Sequence, residues 1–443
     1  MRTRAQELLS TVGDDNPDLE WALSRRVRAL AESPRALCFG RTDADDGTTW
    51  YVGRRHVEDE HGDPVVIEWR APVAVPFYRA SWSEPMGLAR RRQFVVDGRR
   101  LLSIGDDTFG RAQGAEETDR LRGQEALLLE LERARSGEML DIVATIQPEQ
   151  DEVIRAPAPG IMAVQGGPGS GKTAVGLHRA AFLLYGNEAM ARANILVVGP
   201  NRTFLRYIAQ VLPSLGEHAV VQTTLVDLVP EIDGARDKAG LPRTDAPDAE
   251  HLKGDLRMAD VIARSLAARR RPSPDDLTVN LGLRRLVVPA ADVDAAAAAI
   301  ARRRLPYATG RAVLRDQLVR MLSARAGDAV DSAQVAQLRV APGLAASLDS
   351  RWPSVAPAAL VAELLSKRAH LGAAAEGILD TAEQRLLLRR TGRAWTTADA
   401  PLVDEAKALI SGQSRTYGHA IVDEAQDLSP MELRMLARRC PSG

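Results

Sequence analysis

Eight consecutive residues, Gly166-Gly167-Pro168-Gly169-Ser170-Gly171-Lys172-Thr173, join small residues, one lysine and one hydroxyl at a spacing that suits phosphate. Glycines let backbone N–H groups approach phosphate oxygens where a Cβ would intrude. A helix starting at the lysine would add the partial positive charge of its N-terminus. The pattern is that of a P-loop, in which Lys172 reaches the β- and γ-phosphates of ATP and Thr173 holds Mg²⁺. The lysine carries weight because the chain has only four others, Lys238, Lys253, Lys367 and Lys407.

Two further stretches fit the same chemistry. "AIVDEAQD" ends an apolar run on acids. Asp423 is placed to complete a Mg²⁺ shell, and Glu424 beside it to take a proton from an attacking water. Gln426 follows on the nucleotide side. Taken alone, paired acids after an apolar run are more often a helix cap, and it is the glycine loop that makes them a candidate site. "IQPEQDEVIRAP" contributes Gln150, whose amide both donates and accepts and could read adenine.

These residues need a strand before the loop, a helix after it and a strand delivering the acids. "GIMAVQGG" reads as the first strand and "TAVGLHRAAFLLYG" as the helix. "NILVVGPN", "TFLRYIAQVL" and "HAVVQTTLVDL" continue the alternation, which predicts an α/β domain with a parallel, RecA-like P-loop sheet. The expected organisation is a helical arm over 1–34, a small β-rich domain over 35–112 and a connecting helix over 113–145. The first part of the ATPase domain covers 146–230. A mainly helical insertion with one hairpin, "LTVNLGLRRLVVP", covers 231–408, and the second, incomplete part of the ATPase domain covers 409–443.

The bulk composition narrows the class. The 443 residues carry a net charge of −1, so no overall field attracts nucleic acid. No apolar run reaches the roughly 20 residues of a membrane span, and the N-terminus lacks a signal-peptide core. A cytoplasmic protein is expected. Cys38 and Cys440 stand far apart and form no metal spacing.

Together the three motifs resemble the UvrD/Rep class of superfamily 1 helicases. Ala174 departs from that pattern, since relatives place Arg after the P-loop Thr. A tighter resemblance, to the HelD family, lies in "LCFGRTD", "WYVGRRHVEDEHGDPVVIEWRAPVAVPFY", "EPMG", "VQGGPGSGKTAVGLHRAAFLLY", "VGPNRTFLRYI" and "RTYGHAIVDEAQDLSPMELRML". It implies an ATPase that binds bacterial RNA polymerase and couples ATP binding and hydrolysis to its release from nucleic acid. It also implies a chain cut within the motor, short of the second RecA-like domain. The alternatives are a repair helicase or translocase and, for this chain, a nucleotide- and polymerase-binding module without turnover.

Other features have plainer readings. Arg90–Arg92 suit a solvated edge strand, and the Arg269–Arg271 and Arg302–Arg304 triplets suit helix C-termini. Trp50, Tyr51, Trp69, Phe77 and Tyr78 read as core of the β-rich domain. His178 reads as packing or capping.

Overall fold

The computed structural model describes residues 36–97, 100–109, 142–209, 211–215, 217, 219–232, 235, 243–327, 330–389, 394–412 and 415–441. The expected N-terminal arm and nearly all of the connecting helix lie outside them. The chain divides into two units. One gathers the described residues up to Thr224 together with Tyr417–Glu424; the other holds Leu225–Thr416 and Ala425–Pro441. The sheet unit therefore keeps only the strand and the acids of the expected 409–443 segment. The helix Pro430–Ala437 groups with the second unit.

The first unit begins with a six-stranded sheet built from β1 (Cys38–Ala44), β2 (Thr49–Gly53), β3 (Val57–Glu58), β4 (Pro64–Glu68), β5 (Leu88–Asp97) and β6 (Arg100–Thr108). Its order is β3-β4-β2-β1-β5-β6, antiparallel except for the β2–β4 pair. Phe39, Val52, Ile67 and Trp69 are buried with Phe77 and Tyr78 of the short helix α1 (Val75–Arg79). Gly40 is required there, because a Cβ would come within 2.1 Å of the Phe77 ring. Of the aromatics expected in this core, Tyr51 is the exception: it is exposed and stacks on Phe94.

Arg90–Arg92 correct an expectation. β5 is not an edge strand but runs between β1 and β6. Its arginines are paired along the ladder, Arg90 with Asp43 at 2.6 Å, Arg91 with Asp107 at 2.7 Å and Arg92 with Asp106 at 2.6 Å. Cross-strand opposite charges favour this register over slipped ones.

The same unit continues with α2 (Pro148–Arg155), α3 (Lys172–Leu184) and a three-stranded parallel sheet. β7 (Ile195–Val198) lies in its middle, flanked by β8 (Val220–Thr223) and by the His419–Val422 strand. β7 reads "ILVV" because all four side chains are buried, as a parallel strand covered on both faces requires.

The strand expected from "GIMAVQGG" does not form. Residues 161–167 have no regular structure, and Ile161 is 94% exposed. The run is apolar enough, but a strand exists only with a ladder partner, and among the described residues nothing pairs with it.

The second unit is mainly helical. Prolines open Pro247–Lys253, Pro342–Arg351, Pro357–Ser366 and Pro430–Ala437 at their first positions, where the missing N–H costs nothing. Asp331 and Asp380 cap others, and Ser429 caps Pro430–Ala437 as well. The expected hairpin is present as Leu277–Leu281 paired with Arg284–Val288. In the helix Tyr307–Ala326, Leu314, Leu318 and Leu322 are buried at four-residue spacing. Trp352 closes the core here: its indole N–H donates to the Tyr307 carbonyl at 3.1 Å, and its ring lies over Gly310. Lys253 is buried between Asp245 at 2.5 Å and Asp399 at 2.8 Å, and Arg389 pairs with Asp399 at 2.7 Å. No described helix is long and apolar enough to cross a membrane.

Candidate functional site

The glycine loop leads directly into α3. Gly169 and Gly171 have φ of +78° and +81°, a left-handed conformation that side chains resist. Gly166 is glycine for space, because a Cβ would lie 2.6 Å from the Ser170 hydroxyl. Gly167 and Pro168 complete the turn, in which the Ser170 N–H donates to the Gly167 carbonyl at 3.3 Å. Lys172 folds back over the loop, its ammonium donating to the carbonyls of Gly166 at 2.9 Å and Gly167 at 3.1 Å. Residues 166–170 are exposed, so the loop's backbone faces solvent.

The acids arrive from far along the chain. The Asp423 N–H donates to the Val198 carbonyl at 3.0 Å, extending the ladder one residue past the strand. That fixes Asp423 beside α3, where Thr173 Oγ1 donates to Asp423 Oδ2 at 2.9 Å. Gly176, one turn into α3, is small because a Cβ would meet Ile421 of the strand at 3.2 Å. Glu424 takes φ of +52°, a conformation that costs a bulky residue about 1 kcal/mol or more. Lys172, Thr173, Asp423 and Glu424 thus all belong to one unit. Gln426 sits in the 3-10 turn Ala425–Asp427, which groups with the second unit.

Gln150 reaches the loop by its side chain. Its Oε1 accepts from the Gln147 N–H at 3.0 Å, and its Nε2 donates to the Ser170 carbonyl at 3.1 Å. A Cβ at Gly171 would lie 2.9 Å from that nitrogen, so the glycine also admits the amide.

Residue 4 through residue 121 match the family model for the N-terminal domain of DNA helicase IV HelD. This supports a HelD-like, helicase-related protein. The match covers about a quarter of the chain and ends ahead of the glycine loop. No curated protein matches the chain.

Several residues that hold the HelD-like sheet to the loop helix were not singled out from sequence. Asp151 is fully buried; its Oδ2 accepts from Arg79 at 2.6 Å and its Oδ1 from Arg155 at 2.7 Å. Arg155 goes on to the carbonyls of Trp69 at 2.6 Å and Arg70 at 3.0 Å. Arg179, from α3, donates to the carbonyls of Val153 at 3.0 Å, Ala156 at 2.7 Å and Pro157 at 2.8 Å. It thereby satisfies the orphan carbonyls at the end of α2. Arg70 bonds the Ala181 carbonyl and pairs with buried Glu217 at 2.6 Å and with Glu68. Of these contacts the Asp151–Arg155 pair is the local one, an i,i+4 couple on a short helix.

His178 packs, as its position on the loop helix suggested, and it bridges as well. It accepts from the Ile142 N–H at Nε2, 3.2 Å away, so the ring proton is on Nδ1 and is donated to the Ala174 carbonyl at 2.7 Å. Its ring meets Trp69 edge-on at 5.8 Å between centroids. Burial holds its pKa down at about 4, against the pull of the Ala174 hydrogen bond, so the imidazole is neutral.

Proposed function

We propose that the chain binds ATP with Mg²⁺ at residues 166–173, as the nucleotide site of a HelD-like motor. The observation that carries this is the Thr173–Asp423 hydrogen bond, which brings a loop hydroxyl and a strand-end carboxylate within 2.9 Å across 250 residues of sequence. Hard oxygen donors of this kind suit Mg²⁺, which takes one or two protein ligands and completes its shell with phosphate oxygens and water. The residues fit: Thr173 and Asp423 would hold the ion, and the glycines leave the space a phosphate needs. Bound Mg²⁺ would supply charge neutralisation for phosphoryl transfer. Lys172, now on the Gly166 and Gly167 carbonyls, has flexible reach to exchange those acceptors for phosphate oxygens. Gln150 lies against Ser170 and would flank the base. Glu424 is the group that would orient and deprotonate water, its backbone held in a costly conformation, as residues at functional sites often are.

By resemblance, the cycle of ATP binding and hydrolysis would release or recycle RNA polymerase from nucleic acid, in a protein of the UvrD/Rep superfamily 1 type with a RecA-like P-loop sheet. The test is direct. Binding of a fluorescent ATP analogue with Mg²⁺ should be lost in Lys172→Ala and retained in Glu424→Gln, while any turnover should vanish in both. Equal binding by the wild type and Lys172→Ala would overturn the assignment. Co-elution with bacterial RNA polymerase supports the motor's proposed client. Stimulation by single-stranded DNA without polymerase binding would point instead to a repair helicase, and binding without turnover to a module that only senses nucleotide.

A further inference from the structure

Helix α2 is held at three points along its length. Its first turn touches the phosphate loop through Gln150 and Ser170. Its middle is tied to α1 of the β-rich domain through Asp151 and Arg79. Its last turn is gripped by Arg179 from α3, and Arg155 extends from it to the Trp69 and Arg70 carbonyls at the end of β4. Asp151 and Gln150 are consecutive, so any shift of the buried carboxylate displaces the amide beside it. Arg155 pairs with the buried Asp151 from within α2 itself, whereas Arg79 is the carboxylate's ion pair to another element, so the Arg79–Asp151 contact sets the helix against α1 and the sheet it packs on. Arg155 stacks 5.3 Å from the Phe182 centroid of α3 and 5.9 Å from the Tyr78 centroid of α1.

The geometry points to Arg79 and Asp151 as positioning residues for the nucleotide site. They act through Gln150 on the loop, so that the docking of the β-rich domain and the occupancy of the loop are thermodynamically coupled. This rests on the nucleotide-binding reading above and adds the element that governs affinity. A change at the β-rich domain that loosened Arg79 would lower affinity for nucleotide, and by reciprocity bound nucleotide would tighten the domain on α2.

The test is a double-mutant cycle on the full chain with two readouts: affinity for MgATP, and amide exchange at residues 169–173 without nucleotide. Arg79→Met should weaken MgATP about fivefold and speed exchange in the loop, with Gln150→Ala giving an effect of similar size. Arg79→Lys, which keeps a cation for Asp151, should restore affinity to within about twofold of wild type. The double variant should be no weaker than Gln150→Ala alone by more than about twofold, because both lie on one path. Full multiplication of the two losses, or unchanged loop exchange in Arg79→Met, overturns the coupling. Where Arg79→Met fails to fold, Arg79→Gln, which retains a donor for the carboxylate, takes its place in the same cycle. The exchange readout needs no ligand. A wild-type chain that binds no ATP therefore refutes the nucleotide reading, while altered exchange in the variant still reports the mechanical link.

Discussion

Replacing His178 with glutamine should remove one defined component of acid sensitivity from the loop helix. The imidazole is fully buried and neutral, with its pKa held near 4 by burial. In the unfolded chain it would titrate near the ordinary value of about 6.5. Below about pH 6.5 the unfolded chain binds a proton that the folded chain refuses, so the stability due to this group is complete above that pH. It is lost progressively as pH falls towards about 4, and no further loss follows below it. At about pH 4.5 the two values give a loss on the order of 2.5 kcal/mol relative to neutral pH. Glutamine cannot titrate, and it offers an oxygen to the Ile142 N–H while forfeiting the Ala174 bond and the edge contact with Trp69. The variant should therefore start about 1–2 kcal/mol less stable at neutral pH and draw level with or overtake the wild type in acid. The assay is amide exchange in peptides spanning Lys172–Leu184, converted to opening free energies between about pH 7.5 and 4.5 after correction for intrinsic rates. A wild-type-minus-variant difference that stays constant across that range would refute the argument, since it would mean that the ring titrates alike in both states.

Other expectations concern the second unit. Lys253→Met removes the buried cation shared by Asp245 and Asp399, and should destabilise that unit by about 3–5 kcal/mol in urea unfolding; a change below about 1 kcal/mol would show that the cluster relaxes or admits water. Gly343→Ala places a Cβ 2.0 Å from the Thr278 carbonyl, a backbone atom with little freedom, and should cost at least about 2 kcal/mol. Gly105→Ala is the matched control in the first unit, with nothing within 4 Å of the added carbon and an effect expected within about 0.5 kcal/mol. Equal urea midpoints for the two alanine variants would count against the packing argument.

The legible parts of this chain were those encoded locally. The loop announces itself because glycine, lysine and hydroxyl act within eight residues, and "ILVV" because a strand buried on both faces must be apolar at every position. The place of Asp423 at the end of a strand was legible for a similar reason, since an apolar run precedes it. The failures were questions of neighbours. "GIMAVQGG" has the composition of a strand, but composition does not supply a ladder partner. The place of β5 inside its sheet depends on pairing with β1, which precedes it by some 50 residues, so its three arginines looked like an exposed edge. The Arg79–Asp151 contact spans 72 positions and leaves no periodic trace. The match to the HelD N-terminal model lies over the β-rich domain, the segment whose function its own residues disclosed least.

The position of the His419–Val422 strand has a consequence for biosynthesis. β7, whose four side chains end up buried, needs that strand on one flank, yet the two are separated by the whole of Leu225–Thr416. At about 5–20 residues per second a ribosome needs roughly 10–40 s to make the roughly 190 intervening residues. For that interval β7 has only β8 beside it and offers an unpaired apolar edge to whatever is near. The nascent chain is thus most exposed to misassociation while its helical unit is being made. A trigger-type chaperone or a slow-folding insertion would act on yield by shortening or lengthening that window.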